Sequence, residues 1–301
     1  ASNNTAVGNL ALSANTTGAS NTVVGSACFD VNTTGNYNVG VGRSAGGANT
    51  TGSQNIAIGF QALEANTTAN NNIAMGFKAL EANTTGGDNT AVGTEAGDAI
   101  TTGNANTFLG YVAGTYQVDT TTGGYNTILG SYSYTTASDT SGAVVIGHGV
   151  AGASNYTTLG YGGNDIRAAH GNITWATVSD ERVKKDIEDS TVGLAFINDL
   201  RPVTFNYKNK GDLPQNFRDY EEGSTEVYKN SKSQHGFIAQ EVKAAIDKHS
   251  DIKDGFSMWD DDDPAGQQRV GEAAVIPVLV KAVQELSAQV EELKAQINED
   301  K

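Results

Sequence analysis

Asn55-Ile56-Ala57-Ile58-Gly59 decides the reading of this chain, because the pattern keeps returning. Its equivalents are Asn4-Thr5-Ala6-Val7-Gly8, Asn21 to Gly25, Asn38 to Gly42, Asn72 to Gly76, Asn89 to Gly93 and Asn106 to Gly110, each 17 residues from its neighbour. A looser copy, Asn126 to Gly130, follows a three-residue insertion, and weaker echoes stand at Val144-Val145-Ile146-Gly147 and Thr157-Thr158-Leu159-Gly160. A fixed period of this kind marks a repeat architecture. One such unit is too short to bury anything alone, whereas stacked units bury a continuous narrow core.

The second and fourth positions of each copy are β-branched or apolar, the fourth running Val7, Val24, Val41, Ile58, Met75, Val92 and Leu109. Alternation at period two puts them on one face of a short strand. A small residue follows three places after each glycine, as at Ala11, Cys28, Ala45, Ala62, Ala79, Ala96 and Ala113. A second glycine recurs ten places after the first, at Gly18, Gly35, Gly52, Gly86 and Gly103, with Ala69 as the exception. Glycine supplies positive φ at corners. Asn-Thr-Thr-Gly corners such as Asn15 to Gly18 suit turns and stacked amide ladders. These features predict a parallel β-roll or β-helix over residues 1–130, rising ~4.8 Å per coil. Cys28 reads as a small buried thiol in the alanine ladder. The Gly-x-Asp repeats of calcium-binding rolls are missing. Thr16 and Thr17 are adjacent and would point to opposite faces of a strand, which argues against an ice-binding Thr-x-Thr ladder.

Composition agrees with a fibre followed by a different module. The 301 residues carry 36 glycines, 4 prolines and a net charge of −15, with most of the charge after Asp180. An acidic surface does not attract nucleic acid or anionic membranes. No run approaches the ~18 apolar residues of a spanning helix, so membrane insertion is not expected. The lone cysteine excludes intrachain disulfides. Residues 131–178 form an irregular, β-rich connector or tip that carries Tyr132, Tyr134, Tyr156 and Tyr161.

At Ser179 the character changes. Glycine thins out and helical periods appear. Ser190 is placed to cap a short helix through Leu200, with Val192, Phe196 and Leu200 at helical spacing and Pro202 as its stop. Val203 to Tyr207 alternates like a strand, and Gly236 to Val242 is a second compact apolar run. A coiled-coil helix is expected over 276–298. Ile276, Leu279, Val283, Leu286, Val290, Leu293 and Ile297 lie at spacings of three and four, with leucine at d and mostly β-branched residues at a. The a/d choice alone leans towards a dimer in model peptides.

Residues 1 to about 130 resemble the trimeric head repeats of bacterial adhesins and the shafts of bacteriophage tail fibres. Residues 179–301 resemble the intramolecular chaperone and auto-processing domain at the end of endosialidase-type tailspikes, a domain type also found in myelin regulatory factor. Three blocks carry that resemblance: Ser179-Asp180-Glu181-Arg182-Val183-Lys184-Lys185-Asp186-Ile187, Leu200 to Lys208, and Gly236-Phe237-Ile238-Ala239-Gln240-Glu241-Val242, followed by the leucine-rich terminal helix. Asn209 to Ser233 departs from the family as a longer polar insertion, and no clear tyrosine precedes the final helix.

The resemblance implies a self-cleaving dyad of Ser179 as nucleophile and Lys184 as base. A serine hydroxyl needs a base to take its proton, and a lysine is a base only when neutral, which burial or neighbouring cations favour. Arg182 and Lys185 are cations close by in sequence. Five residues along a helix or a strand do not bring the two side chains together, so a turn must intervene. The bond cut is Val178–Ser179, with Ser179–Asp180 as the alternative. His235 and Glu241 are candidate supporting residues, Glu241 as a partner for Lys184. The plainer readings are a structural histidine and a surface charge. Asp260 to Asp263 lacks the calcium-loop pattern and reads as a solvated loop. No cofactor or metal is expected.

The expected function is therefore a phage tail fibre or tailspike segment, assembled in the host cytoplasm into the virion. It would be a homotrimer contacting a host cell-surface glycan or protein receptor. Its C-terminal chaperone would be released by autoproteolysis. The alternative is a cellular trimeric adhesin or surface-binding fibre with a non-cleaving trimerisation domain.

Overall fold

A computed structural model describes residues 1–301 apart from 173–175, 178, 253–255, 262–266 and 300–301. It forms two compact units, Ala1–Lys184 and Lys185–Lys301.

The first unit is a parallel β-solenoid. Among the described residues, twelve strands form one sheet. Each three-residue strand pairs with its equivalent one repeat on, so that Ile56, Ala57 and Ile58 face Ile73, Ala74 and Met75. The echoes at Val144–His148 and Tyr156–Tyr161 continue the same parallel sheet. The solenoid thus runs through most of the stretch expected to be an irregular connector. It closes with an antiparallel hairpin, Tyr156–Tyr161 against Asn164–Ala169.

The apolar alternation faces outwards. From the second coil on, the residue between the two outward positions points in, and Val23, Ala57, Ala74, Ala91, Phe108, Ile128 and Val145 are fully buried. Positions two and four form an outer apolar stripe, with Val7, Val24, Val41, Met75 and Leu109 all exposed. The inner space is small, which explains the alanine columns. Where a large side chain enters, glycine makes room. A Cβ on Gly46 would lie 2.5 Å from Phe29 Cζ, and one on Gly97 would lie 2.6 Å from Phe108 Cδ2. Cys28 sits fully buried in this column, and burial pushes its thiol up to about 12.

Two buried asparagine columns hold the coils together. In the first, Asn21, Asn38, Asn55, Asn72, Asn89, Asn106 and Asn126 each donate their backbone N–H to the side-chain Oδ1 of the asparagine one coil before, at 2.8–3.0 Å. Each Nδ2 reaches a corner carbonyl, such as Asn55 Nδ2 to Ala69 O at 2.9 Å. In the second, Asn32, Asn49, Asn66 and Asn83 donate Nδ2 to the preceding Oδ1. That column stops at Ile100, which stands where the next asparagine would be, and Asn83 Oδ1 is left without a partner. Buried amides are tolerated only when hydrogen-bonded. Asn83 Oδ1 apart, the columns meet that demand by pairing like with like.

The corners are only partly a matter of glycine. Gly59 has φ +134°, and a Cβ there would lie 2.2 Å from Gly76 O. The residue before each strand-leading asparagine is also left-handed but is not glycine, as at Tyr37 (φ 58°), Gln54 (φ 61°) and Ala105 (φ 55°). Each such residue costs about 1 kcal/mol or more, a cost offset by the inter-coil hydrogen bonds on either side.

The second unit is a small α+β module. Helices α1 (Leu194–Asp199), α2 (Ala239–Ile246) and α3 (Ile276–Glu299) surround a core of Val192, Phe196, Val242, Ile246, Met258, Val275 and Val278. Val203–Phe205 pairs antiparallel with Gln234–Gly236. The apolar run from Gly236 to Val242 is therefore a strand end followed by a helix. Ser190 does not cap α1. Its Oγ contacts Val192, and Glu285 of α3 accepts from the Leu194 N–H at 2.8 Å instead. Gly193 leaves room for that carboxylate, since a Cβ there would lie 2.6 Å from Glu285 Oε2. The insertion folds around Lys210, whose Nζ meets Glu221 at 3.1 Å and Glu226 at 2.8 Å.

Helix α3 has two apolar faces. Val278 and Ala282 pack into the module, whereas Ile276, Leu279, Val283, Leu286, Val290, Leu293 and Ile297 form an exposed heptad seam. With the turn before it, Glu272–Glu299 is long and apolar enough to cross a membrane by length and composition, with mean hydropathy 1.3 in its most apolar window. The sequence reading did not anticipate this. The segregation of its apolar residues into a seam and a core face fits a coiled coil.

Candidate functional site

Ser179 follows the strand Ala176–Thr177 and precedes a 3₁₀ turn, Glu181–Val183. The turn is capped by Asp180, which accepts from the Arg182 N–H at 2.9 Å. Because Asp180 performs the capping, the Ser179 hydroxyl is left for another partner. Lys184 ends the turn, with its N–H donating to Glu181 O, and its Nζ donates to Ser179 Oγ at 2.8 Å. A single short turn thus closes the five-residue gap that neither a helix nor a strand can close.

The surrounding charges are largely paired. Arg182 grips the Asp180 carboxylate with Nε at 2.9 Å and Nη2 at 2.6 Å, which holds Asp180 below the usual carboxylate range. Lys185 lies 3.9 Å from Asp186. Neither cation is an unpaired neighbour for Lys184. Ser179 and Lys184 are both exposed in the single chain. Val178, on one side of the expected scissile bond, lies outside the described residues.

His235 and Glu241 belong to the second unit and have partners there. His235 Nδ1 lies 3.3 Å from Thr204 Oγ1, which joins the paired strands. Glu241 binds Arg201, accepting from Nε at 3.0 Å and from Nη2, and this holds its carboxyl below the usual range. The Arg201–Glu241 pair ties the second sequence block to the third. Asp199 is a further carboxylate held low, by Lys248 at 2.8 Å and His249 at 2.9 Å. No spacing in the sequence announces that cluster, because its members lie about fifty residues apart.

A second candidate site lies in the first unit. The three residues inserted before Asn126 lengthen one outer corner and carry Tyr116 and Gln117 into a cleft of about 490 Å³ beside Tyr132, Tyr134, His148 and Tyr161. The sequence marks out Tyr132, Tyr134 and Tyr161 but gives no sign that they converge. Among the described residues, no group of three or more His, Cys, Asp or Glu is placed to hold a metal.

No curated protein and no solved structure matches the chain. A family model does: residues 179–251 match Peptidase S74, the chaperone of endosialidase, over a span that starts at Ser179 and takes in all three sequence blocks.

Proposed function

We propose that this chain is a fibre segment of the phage tail-fibre or tailspike kind, assembled as a homotrimer by its C-terminal module and then freed of that module by cleavage next to Ser179. The observation that carries the proposal is the 2.8 Å contact between Lys184 Nζ and Ser179 Oγ at the first residue of the family match. The exposed seam of α3 and the outer apolar stripe of the solenoid support association. Both are apolar surfaces that a single chain leaves in water.

The chemistry follows from the pair. Neutral Lys184 takes the proton of Ser179 Oγ, and Oγ attacks the carbonyl carbon of Val178. The new C–O bond forms as the Val178–Ser179 C–N bond breaks, and the lysine's proton passes to the freed nitrogen. Water then hydrolyses the ester, which leaves a carboxylate on Val178 and restores the serine. Lys184 must first lose the proton it donates in the structure, and burial favours that loss. An exposed pair therefore gains from cover by neighbouring chains. This links cutting to assembly, so that the chaperone departs only after it has set the register. Removing it afterwards traps the shaft kinetically.

A denaturing gel tests the proposal. The 301-residue chain is expected to yield residues 1–178 and 179–301, whereas Ser179→Ala and Lys184→Ala each leave one uncut band. Persistent cleavage in Ser179→Ala would sink the nucleophile.

A further inference from the structure

The solenoid breaks its own period where its aromatic residues gather. Coils step by 17 residues up to Asn106, then by 20 to Asn126, and the pairing of Val144 with Thr157 is a step of 13. The inserted corner places Tyr116 edge-on to Tyr132 at 4.8 Å and to Tyr134 at 6.0 Å. Tyr132 meets His148 at 5.5 Å, and His148 stacks on Tyr161 at 5.1 Å with the planes 15° apart. Strand register fixes this last pair, because His148 and Tyr161 are direct cross-strand partners. The edge-on rings use their faces on one another. Tyr161 ends the row and is 68% exposed, so a flat aromatic face is offered to solvent.

Hydrogen-bonding groups ring that face. Gln117 Oε1 accepts from Tyr134 Oη at 2.7 Å, which orients the amide and leaves its Nε2 as a donor. Asp165 lines the cleft, and its carboxylate has no hydrogen-bond partner among the described residues. Gly162 and Gly163 form an open rim, where an added Cβ would meet nothing within 4 Å. No lysine or arginine lines the cleft among the described residues, and the chain is strongly acidic. An anionic ligand is therefore disfavoured. The volume falls within the ~300–1,000 Å³ range of small-ligand sites.

We propose that this cleft is a saccharide-binding site that stacks the apolar face of a neutral sugar ring on Tyr161 and holds its hydroxyls with Gln117 and Asp165. The chemistry argues for a sugar over a quaternary ammonium ion, because a cation cage needs several ring faces turned to one point. Here the contacts along the row are edge-to-face up to His148 and stacked only between His148 and Tyr161, so the rings are spent on one another and one platform is left open. The proposal rests on the attachment role proposed above and names the ligand class for it.

The test is a glycan array carrying neutral glucose, galactose, mannose and N-acetylglucosamine oligosaccharides beside sialylated and uronic-acid glycans, probed with the full chain. Calorimetric titration of the strongest neutral glycan follows, with tetramethylammonium as the competing probe. Neutral glycans are expected to be retained. Tyr161→Ala is expected to weaken binding about tenfold, the scale of one aromatic contact. Asp165→Asn should weaken it less, and Gly163→Trp should block it by filling the open rim. Retention of anionic glycans alone, displacement by tetramethylammonium, absence of any neutral binder, or affinity unchanged in both Tyr161→Ala and Gly163→Trp would each overturn it. Solution mass and self-cleavage, measured on the same variants, are expected to stay at wild-type values. Failure of those two would indict the assembly reading, and failure of glycan binding alone would indict the cleft.

Discussion

The asparagine columns of the solenoid and the leucine seam of α3 are both one-residue-wide ladders, but they close in opposite ways. Each amide of the first strand-leading column finds its partners one coil away in the same chain. Each residue of the seam points into water. A polar ladder satisfied internally holds one chain's shape and says nothing about which neighbour sits beside it. An apolar ladder left open does the reverse. In the proposed assembly it recruits copies, and its seven-residue repeat sets their axial alignment. A shaft of near-identical coils needs that help, because neighbouring chains shifted by one whole coil would meet almost the same surface.

The sharpest way to break the comparison is to make the open ladder polar. Leu279→Asp with Leu286→Asp puts charge at two d positions while leaving Val278 and Ala282 in the core. The mass in solution is expected to fall to that of one chain, and cleavage at Ser179 is expected to fail with it. A monomer that still cleaves would separate the dyad from assembly.

The closed ladder offers a graded test. Asn66→Ala removes two links of the second column, to Asn49 and from Asn83. With buried acceptors left unpaired it is expected to cost about 2–4 kcal/mol in chemical denaturation. Asn83→Ala removes one link only, since its Oδ1 already lacks a partner, and is expected to cost about 1 kcal/mol less. Equal losses would mean that the column's links do not act as separate bonds.

The smallest effect distinguishes the two regions by pH. In the module, Asp199, Glu241 and Asp251 are held low by Lys248, Arg201 and Thr191. Their folded forms bind fewer protons than the unfolded chain. Their contribution is present above the ordinary carboxylate range and is lost as pH falls through their folded values. In the solenoid, Asp98 is raised, chiefly by burial, so folding is favoured as pH falls through its folded value. Thermal melts from pH 6 down to about pH 2 are expected to lower the module's transition, with the loss falling below the ordinary carboxylate range, while leaving the solenoid's unchanged or slightly raised. A solenoid that softens first would contradict the assignment.

Much of this was legible in the residues because it is periodic. Repetition of Asn-x-x-x-Gly exposed the parallel stack, and the spacing from Ile276 to Ile297 exposed the helix seam. The inward face was harder to read. Alternation shows which residues share a face, but a core narrow enough for alanine reverses the usual rule that the larger apolar residues go inside. Ser179 and Lys184 were found by resemblance, whereas the turn that joins them rests on Asp180, which the sequence offers only as a member of the first block and as one side of the alternative cut. The contacts that hold the module, Glu285 to Leu194 and Arg201 to Glu241, join residues 91 and 40 positions apart. No local pattern encodes such pairs.

The step from Asn106 to Asn126 spans 20 residues, yet the hydrogen bond between them is kept at 3.0 Å. The extra length is expelled at the outer corner, and the inner column does not register it. For the history of such a molecule this separates two kinds of change. Duplicating or deleting a whole repeat alters reach in quanta and leaves each amide facing an amide. Inserting a few residues at a corner alters what the surface displays and leaves reach untouched. A lineage built on this plan can tune how far it extends and what it grasps as independent traits.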